Sequence, residues 1–197
     1  MSLAIIDSGG ANIGSVRYAL QRLGADSVFT ADPDVIRRAD RVILPGVGAA
    51  AAAMAQLRAH DLVACIRELT QPVLGICLGM QLLFESSSEG DVDCLGLIPG
   101  RLERFREAPG LRVPHMGWNH ARIERPDPLL DGLEEEPWFY FVHSYYAPVG
   151  PATLASCEHG VAFSAMVQQD NFRGAQFHPE RSAGQGARIL KNFLELE

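Results

Sequence analysis

Short apolar runs alternate with amphipathic stretches through roughly the first 85 residues. Leu3 to Ile6 is an apolar run ending at Asp7, and a helical repeat of apolar positions follows from Ile13 to Leu23 and stops at Gly24. Ser27 to Thr30 reads as a second strand, Asp32-Pro33-Asp34 as the start of a short helix, and Arg41 to Leu44 as a third strand. Pro45-Gly46-Val47-Gly48 breaks that strand; the alanines from Ala49 to Ala53 then begin a helix to about His60, and a further helix covers about Asp61 to Leu69. Pro72 to Ile76 is a fourth strand, expected to run through the glycine-flanked Cys77 and on into a helix at Leu82-Leu83-Phe84-Glu85. Strands alternating with helices predict a parallel sheet with right-handed crossovers, whose sites gather at the carboxyl ends of strands. Both Pro45–Gly48 and Cys77 stand at such ends.

Beyond Ser86 the helical period fades and short strands with frequent Gly and Pro take over, at Leu102 to Phe105, Trp138 to Val142, Thr153 to Cys157, Ser164 to Gln168 and Arg173 to Phe177. That half reads as antiparallel β structure packed on the same body, closed by a helix from about Ala183 to Glu195. With no internal repeat, low-complexity tract or linker, residues 1–197 are expected to form a single α/β domain. Its centre is a mainly parallel sheet flanked by helices, with an antiparallel β extension in the second half.

Composition narrows the chemistry. At 197 residues, 47% hydrophobic and 21% charged, the chain can bury one substantial core. A net charge of −7 and scattered arginines that never form a run exclude nucleic acid as the main partner. The segment Met1 to Asp7 lacks the basic flank and apolar region of a signal peptide, and no stretch has the length of a membrane span, so a cytosolic protein is expected. Cys65, Cys77, Cys94 and Cys157 show no C-x-x-C spacing, which points away from a zinc site or a dithiol redox pair, and no metal or cofactor is expected. Ser8-Gly9-Gly10-Ala11-Asn12 fits neither dinucleotide nor P-loop spacing and reads as a structural turn.

A lone strand cysteine is more often a small buried hydrophobe than a nucleophile. Gly75-Ile76-Cys77-Leu78-Gly79 differs because a buried strand gains nothing from glycines on both sides of its cysteine. This is the thiol form of the nucleophile elbow, a strained strand-to-helix turn that presents the side chain at the sheet's carboxyl end. The bare backbone at Gly46 to Gly48 offers N–H groups suited to an oxyanion hole. Late in the chain, His178-Pro179-Glu180 places an imidazole and a carboxylate two positions apart, on one face if the segment is extended. Cys77, His178 and Glu180 then supply nucleophile, base and orienter.

In these motifs and their order the sequence resembles the class I, triad-type glutamine amidotransferases, a flavodoxin-like α/β family. The stretches 114–119, 140–145 and 174–180 narrow the resemblance to glutaminase subunits of imidazole glycerol phosphate synthase. In these a separate cyclase barrel receives the ammonia, and that cyclase subunit is the partner the resemblance implies. It further implies that glutamine is hydrolysed through a Cys77 thioester, with the oxyanion held by the N–H of Leu78 and an N–H at Val47 or Gly48. Gln81 and the backbone around His143, Ser144 and Tyr145 would bind glutamine, while Trp118, Asn119 and Tyr140 would face the partner. The chain departs from the family's usual Asp-Tyr-Gly-x-Gly-Asn at Ser8 and Ala11, and carries Arg181 where lysine is common. Two other readings stay open at this point: a stand-alone cysteine hydrolase of γ-glutamyl compounds, and a non-catalytic regulatory subunit.

Overall fold

The computed structural model describes residues 1–9 and 13–196. The turn expected over Gly10 to Asn12 lies outside them. The first part of the chain runs β1 (Leu3–Ile6), α1 (Ile13–Arg22), β2 (Val28–Thr30), α2 (Pro33–Arg38), β3 (Arg41–Leu44), α3 (Ala50–Ala59), α4 (Leu62–Arg67) and β4 (Val73–Ile76). Local chemistry sets these boundaries: Asp32 accepts the Asp34 N–H at 2.8 Å with Pro33 at the first helical position of α2. β1 and β4 are buried on both faces, which is why they read as unbroken apolar runs.

After β4 comes α5 (Leu78–Gln81), then β5 (Phe84–Ser87), β6 (Val92–Asp93), β7 (Ile98–Arg104), β8 (His115–His120), β9 (Arg122–Ile123), β10 (Trp138–His143), β11 (Tyr145–Tyr146), β12 (Thr153–Glu158), β13 (Ala162–Gln169), β14 (Phe172–Ala175) and α6 (Ala183–Glu195). The helix expected at Leu82 to Glu85 is corrected here: the helical turn comes earlier, at α5. It is a single turn, and Phe84–Ser87 is a strand paired with β6 and β7. Leu82 and Leu83 turn into the core while their carbonyls accept the N–H groups of Leu95 at 2.9 Å and Leu97 at 2.8 Å, so tertiary pairing overrides the local helical pattern.

The main sheet has eight strands in the order β2-β1-β3-β4-β14-β13-β12-β9. β2, β1, β3, β4 and β14 are parallel, and β13 onward are antiparallel. β14, expected within the antiparallel half, is the joint: it runs parallel to β4 in register Gly174↔Gly75 and antiparallel to β13. One face of the sheet buries Ile5, Ile43 and Leu74 against α1 and α6; the other buries Ile6, Val42 and Leu44 against α2, α3 and α4. A ribbon of β8 and β10 and a small sheet of β11-β7-β5-β6 flank the carboxyl ends of the central strands. Among the described residues no helix is long and apolar enough to cross a membrane.

Candidate active site

Cys77 leaves β4 with φ 53° and ψ −110°, a conformation L residues rarely adopt. The strain is held from both sides. The Cys77 N–H donates to the Ala175 carbonyl at 2.8 Å, and the next turn packs so closely on β3 that a Cβ at Gly79 would overlap the Leu44 carbonyl oxygen. A Cβ at Gly75 would lie 2.7 Å from the Gly79 oxygen. Both flanking glycines are therefore required by close backbone approach. α5, which begins at the residue after Cys77, is a single turn of four residues.

His178 follows β14, so the strand beside the nucleophile's strand delivers the second group. Its backbone is fixed independently of the ring: its N–H donates to the Tyr140 carbonyl at 2.9 Å, and its own carbonyl accepts the Ser182 hydroxyl at 2.7 Å. Glu180 Oε1 accepts from His178 Nδ1 at 2.9 Å, its side chain only 2% exposed. The two meet through a 3-10 turn at Pro179–Arg181, not along an extended segment. That turn swings the carboxylate beneath the ring, and Pro179 makes it at little entropic cost. Burial alone would lower the His178 pKa, but hydrogen bonding to Cys77 and then to Glu180, with their charges, raises it to about 10. The cationic ring thus supplies a positive charge beside the sulfur. The other cysteines lack such a partner, and burial pushes the thiols of Cys94 to about 11 and Cys157 to about 12, with Cys65 also raised.

This ion pair makes a prediction. The His178 ring is expected to remain doubly protonated through neutral pH and to titrate near 10, falling in Cys77→Ala because its first favourable partner is gone. Since the folded value exceeds the ordinary 6.5, the stability contributed by protonated His178 is full below about 6.5 and is lost as pH rises through about 10. A ¹⁵N-resolved NMR titration measures it; a ring titrating near 6.5 in the unaltered protein would refute the pair.

Cys77 and His178 open into a cleft of ≈ 350 Å³, lined also by Val47, Gly48, Leu78, Gln81, His143, Ser144 and Tyr145, so every residue expected at the oxyanion or glutamine positions faces one space. Gln81 is 5% exposed and already committed: its Nε2 donates to the Tyr145 carbonyl and to Gln176 Oε1, each at 2.9 Å. It braces the cleft wall. Gly48 has φ 95°, open to glycine and strained for other residues.

Two further residues of the site are not singled out by sequence reasoning. Gln176 is fully buried, its Nε2 3.8 Å from the Cys77 sulfur. The one hint of it is its place two residues before His178. Glu89 enters the cleft from the turn after β5 and accepts the Ala50 N–H at 2.8 Å, tying down the far end of the Pro45–Gly48 loop. Nothing in Ser-Ser-Ser-Glu-Gly marks it.

On the outer face of the β8–β10 ribbon, Met116, Trp118 and Trp138 are 64%, 49% and 51% exposed, and Trp118 stands edge-on to Tyr140 with ring centres 6.1 Å apart. Asn119, expected on that face, points inward: its Nδ2 donates to the Glu158 carbonyl at 2.9 Å and reaches His115 Nε2 at 3.3 Å. The alternation of a strand requires this, since Trp118 and Asn119 cannot share a face.

Residues 4–196 match the family described as glutamine amidotransferase class-I. The chain is 58% identical over 194 residues to the imidazole glycerol phosphate synthase subunit HisH of Xanthomonas campestris pv. campestris, covering 98% of this chain and 97% of that one. It is 57% identical over 195 residues to the HisH subunit of Xylella fastidiosa, covering 99% and 98%. Among solved structures, a glutamine amidotransferase aligns with a TM-score of 0.77 at 19% identity over 99% of this chain and 98% of that one. PurLQS from Thermotoga maritima aligns with a TM-score of 0.73 at 20% identity, covering 98% and 97%. An elbow cysteine facing a carboxylate-held histidine, on a chain matched almost end to end, has one consistent assignment: this chain belongs to the class-I glutamine amidotransferase family.

Proposed function

We propose that this chain is the glutaminase subunit of an imidazole glycerol phosphate synthase, working in the cytoplasm and passing ammonia to a cyclase subunit. The observation that carries the reading is the cleft that joins Cys77 to the His178–Glu180 pair, in a chain more than half identical to HisH subunits. The Cys77 thiolate attacks the side-chain carboxamide carbon of glutamine, and the oxyanion takes the Leu78 N–H and an N–H from Val47 or Gly48. His178 gives its proton to the departing nitrogen, the C–N bond breaks, and ammonia leaves a γ-glutamyl thioester. The now neutral His178 takes a proton from water, whose hydroxide attacks the thioester. The C–S bond then breaks, glutamate departs, its carboxyl proton goes to solvent, and the thiolate–imidazolium pair is restored. Thiolate attack and proton transfer supply the whole reaction. Glu89 is the acidic group lining the cleft and suits the substrate's ammonium.

The outward aromatic face of β8 and β10 is the surface offered to the cyclase. Trp118 and Tyr140 lie on the same ribbon that carries Val142 and His143 into the cleft, so docking acts on the cleft's wall. Glutaminase activity is expected to be latent in the isolated chain and to rise with cyclase plus its acceptor nucleotide. A missing oxyanion donor costs on the order of 10²–10³-fold in rate. Steady-state glutamate production is measured for the chain alone, with partner, and with partner and acceptor nucleotide. Equal rates in all three conditions would reject the coupling and indicate a self-sufficient hydrolase.

A further inference from the structure

We infer that His115, to which the mechanism gives no part, is a positioning residue for the glutamine cleft, holding its wall through a polarised chain of neutral imidazoles. The inference rests on the glutaminase reading above, and the observation behind it is a run of hydrogen bonds whose directions are all determined. The Tyr145 carbonyl can only accept, and it lies 2.8 Å from His143 Nδ1, so that nitrogen bears the proton. The remaining nitrogen of a neutral His143 is a bare acceptor, and it lies 3.0 Å from His115 Nδ1, which must therefore be an N–H. His115 Nε2 is then an acceptor in turn, 3.3 Å from the Asn119 amide. That amide cannot reverse, because its Nδ2 donates to the Glu158 carbonyl at 2.9 Å and its Oδ1 accepts the His120 N–H at 2.9 Å.

The chain thus runs Asn119 to His115 to His143 to the Tyr145 carbonyl, which also takes the Gln81 amide at 2.9 Å. One end is the wall of the cleft beside the nucleophile; the other is the strand whose opposite face carries Trp118. Both rings must stay neutral for the polarity to hold, and their surroundings favour that. Burial lowers the pKa of His143 to about 3, partly offset by the Tyr145 carbonyl, and lowers that of His115 to about 4, helped by His159 stacked on it at 4.2 Å. Packing against Phe141 and Phe163 would be served by any ring. The ordered donors would not.

The test compares two amides in the complex with cyclase and acceptor nucleotide. His115→Asn keeps a donor near the Nδ1 position, facing His143, whereas His115→Gln places its amide near Nε2 and leaves His143 unpaired. His115→Gln is expected to raise the glutamine KM roughly tenfold with kcat little changed, and His115→Asn to restore it. An unchanged KM in His115→Gln, a loss falling on kcat, or a His115→Asn no better than His115→Gln would overturn the inference. Should either variant fail to fold, ¹⁵N NMR of the unaltered protein decides: both His115 and His143 are expected as Nδ1–H tautomers at neutral pH, and an Nε2–H or cationic ring at either would refute the chain. If the unaltered protein releases no glutamate even in the complex, the glutaminase reading fails, while the tautomers still judge the chain by themselves.

Discussion

Cys77→Ala is expected to reduce glutamate release to background, with a loss on the order of 10⁶-fold, the scale set by removing a nucleophile that works as one unit with its base. The fold should survive, since the sulfur's nearest polar contacts, the Gln176 amide nitrogen and the Val142 carbonyl oxygen, are long ones, each at 3.8 Å. The backbone contortion at Cys77 has no packing purpose of its own: φ 53° is retained because the Ala175 carbonyl and the Gly79 contact with β3 enforce it. No other cysteine can stand in, because burial holds the thiols of Cys65, Cys94 and Cys157 in their unreactive form. A diazo-ketone analogue of glutamine should therefore label Cys77 alone, as read by mass spectrometry. Labelling at another cysteine, or turnover that persists in Cys77→Ala, would overturn the assignment.

His178→Asn is expected to cost roughly 10²–10⁴-fold in kcat, the range of general acid–base catalysis, and Glu180→Gln markedly less. The structure explains the ranking. His178 is already fixed through its backbone by Tyr140 and Ser182, and a glutamine at 180 still offers an oxygen to Nδ1 within the same 3-10 turn. What Glu180→Gln removes is the negative charge that helps keep the ring protonated, so its loss should fall chiefly on the alkaline side of the pH–rate profile. Rates are compared for folded variants that still bind glutamine. Equal inactivity of the two would mean that Glu180 takes part in proton transfer itself.

Those two motifs are legible in the sequence because each is local: glycines around a cysteine, and a histidine and carboxylate split by a proline, carry their geometry within a few residues. The parallel half of the sheet is legible for the same reason, as apolar runs and helical periods alternate there without interruption. Gln176 is hidden because its role exists only where Gln81 and Cys77 arrive from far along the chain. Glu89 is hidden because what it ties down is the backbone of Ala50. The helical pattern at Leu82 to Glu85 misleads because the Leu82 and Leu83 carbonyls, which a helix would have kept, are taken by N–H groups of the segment between β6 and β7. Asn119 differs in a related way: the resemblance groups it with Trp118 and Tyr140 on the partner face, although strand alternation puts Trp118 outward and Asn119 inward.

The pairing of β4 with β14 also bears on when, in the life of a molecule, the thiol becomes dangerous to free glutamine. Cys77 and Gln176 touch across 99 positions of sequence, so the central strand beside the elbow is translated long after the elbow itself. A nascent chain of a hundred or so residues has the cysteine but neither the carbonyl that bends its backbone nor the ring that charges it. The ribosome must pass β14 before the two strands can zip together, and contacts this distant in sequence form slowly. A chain that stops short of β14 therefore has the thiol without the carbonyl and the imidazole that the folded site sets beside it.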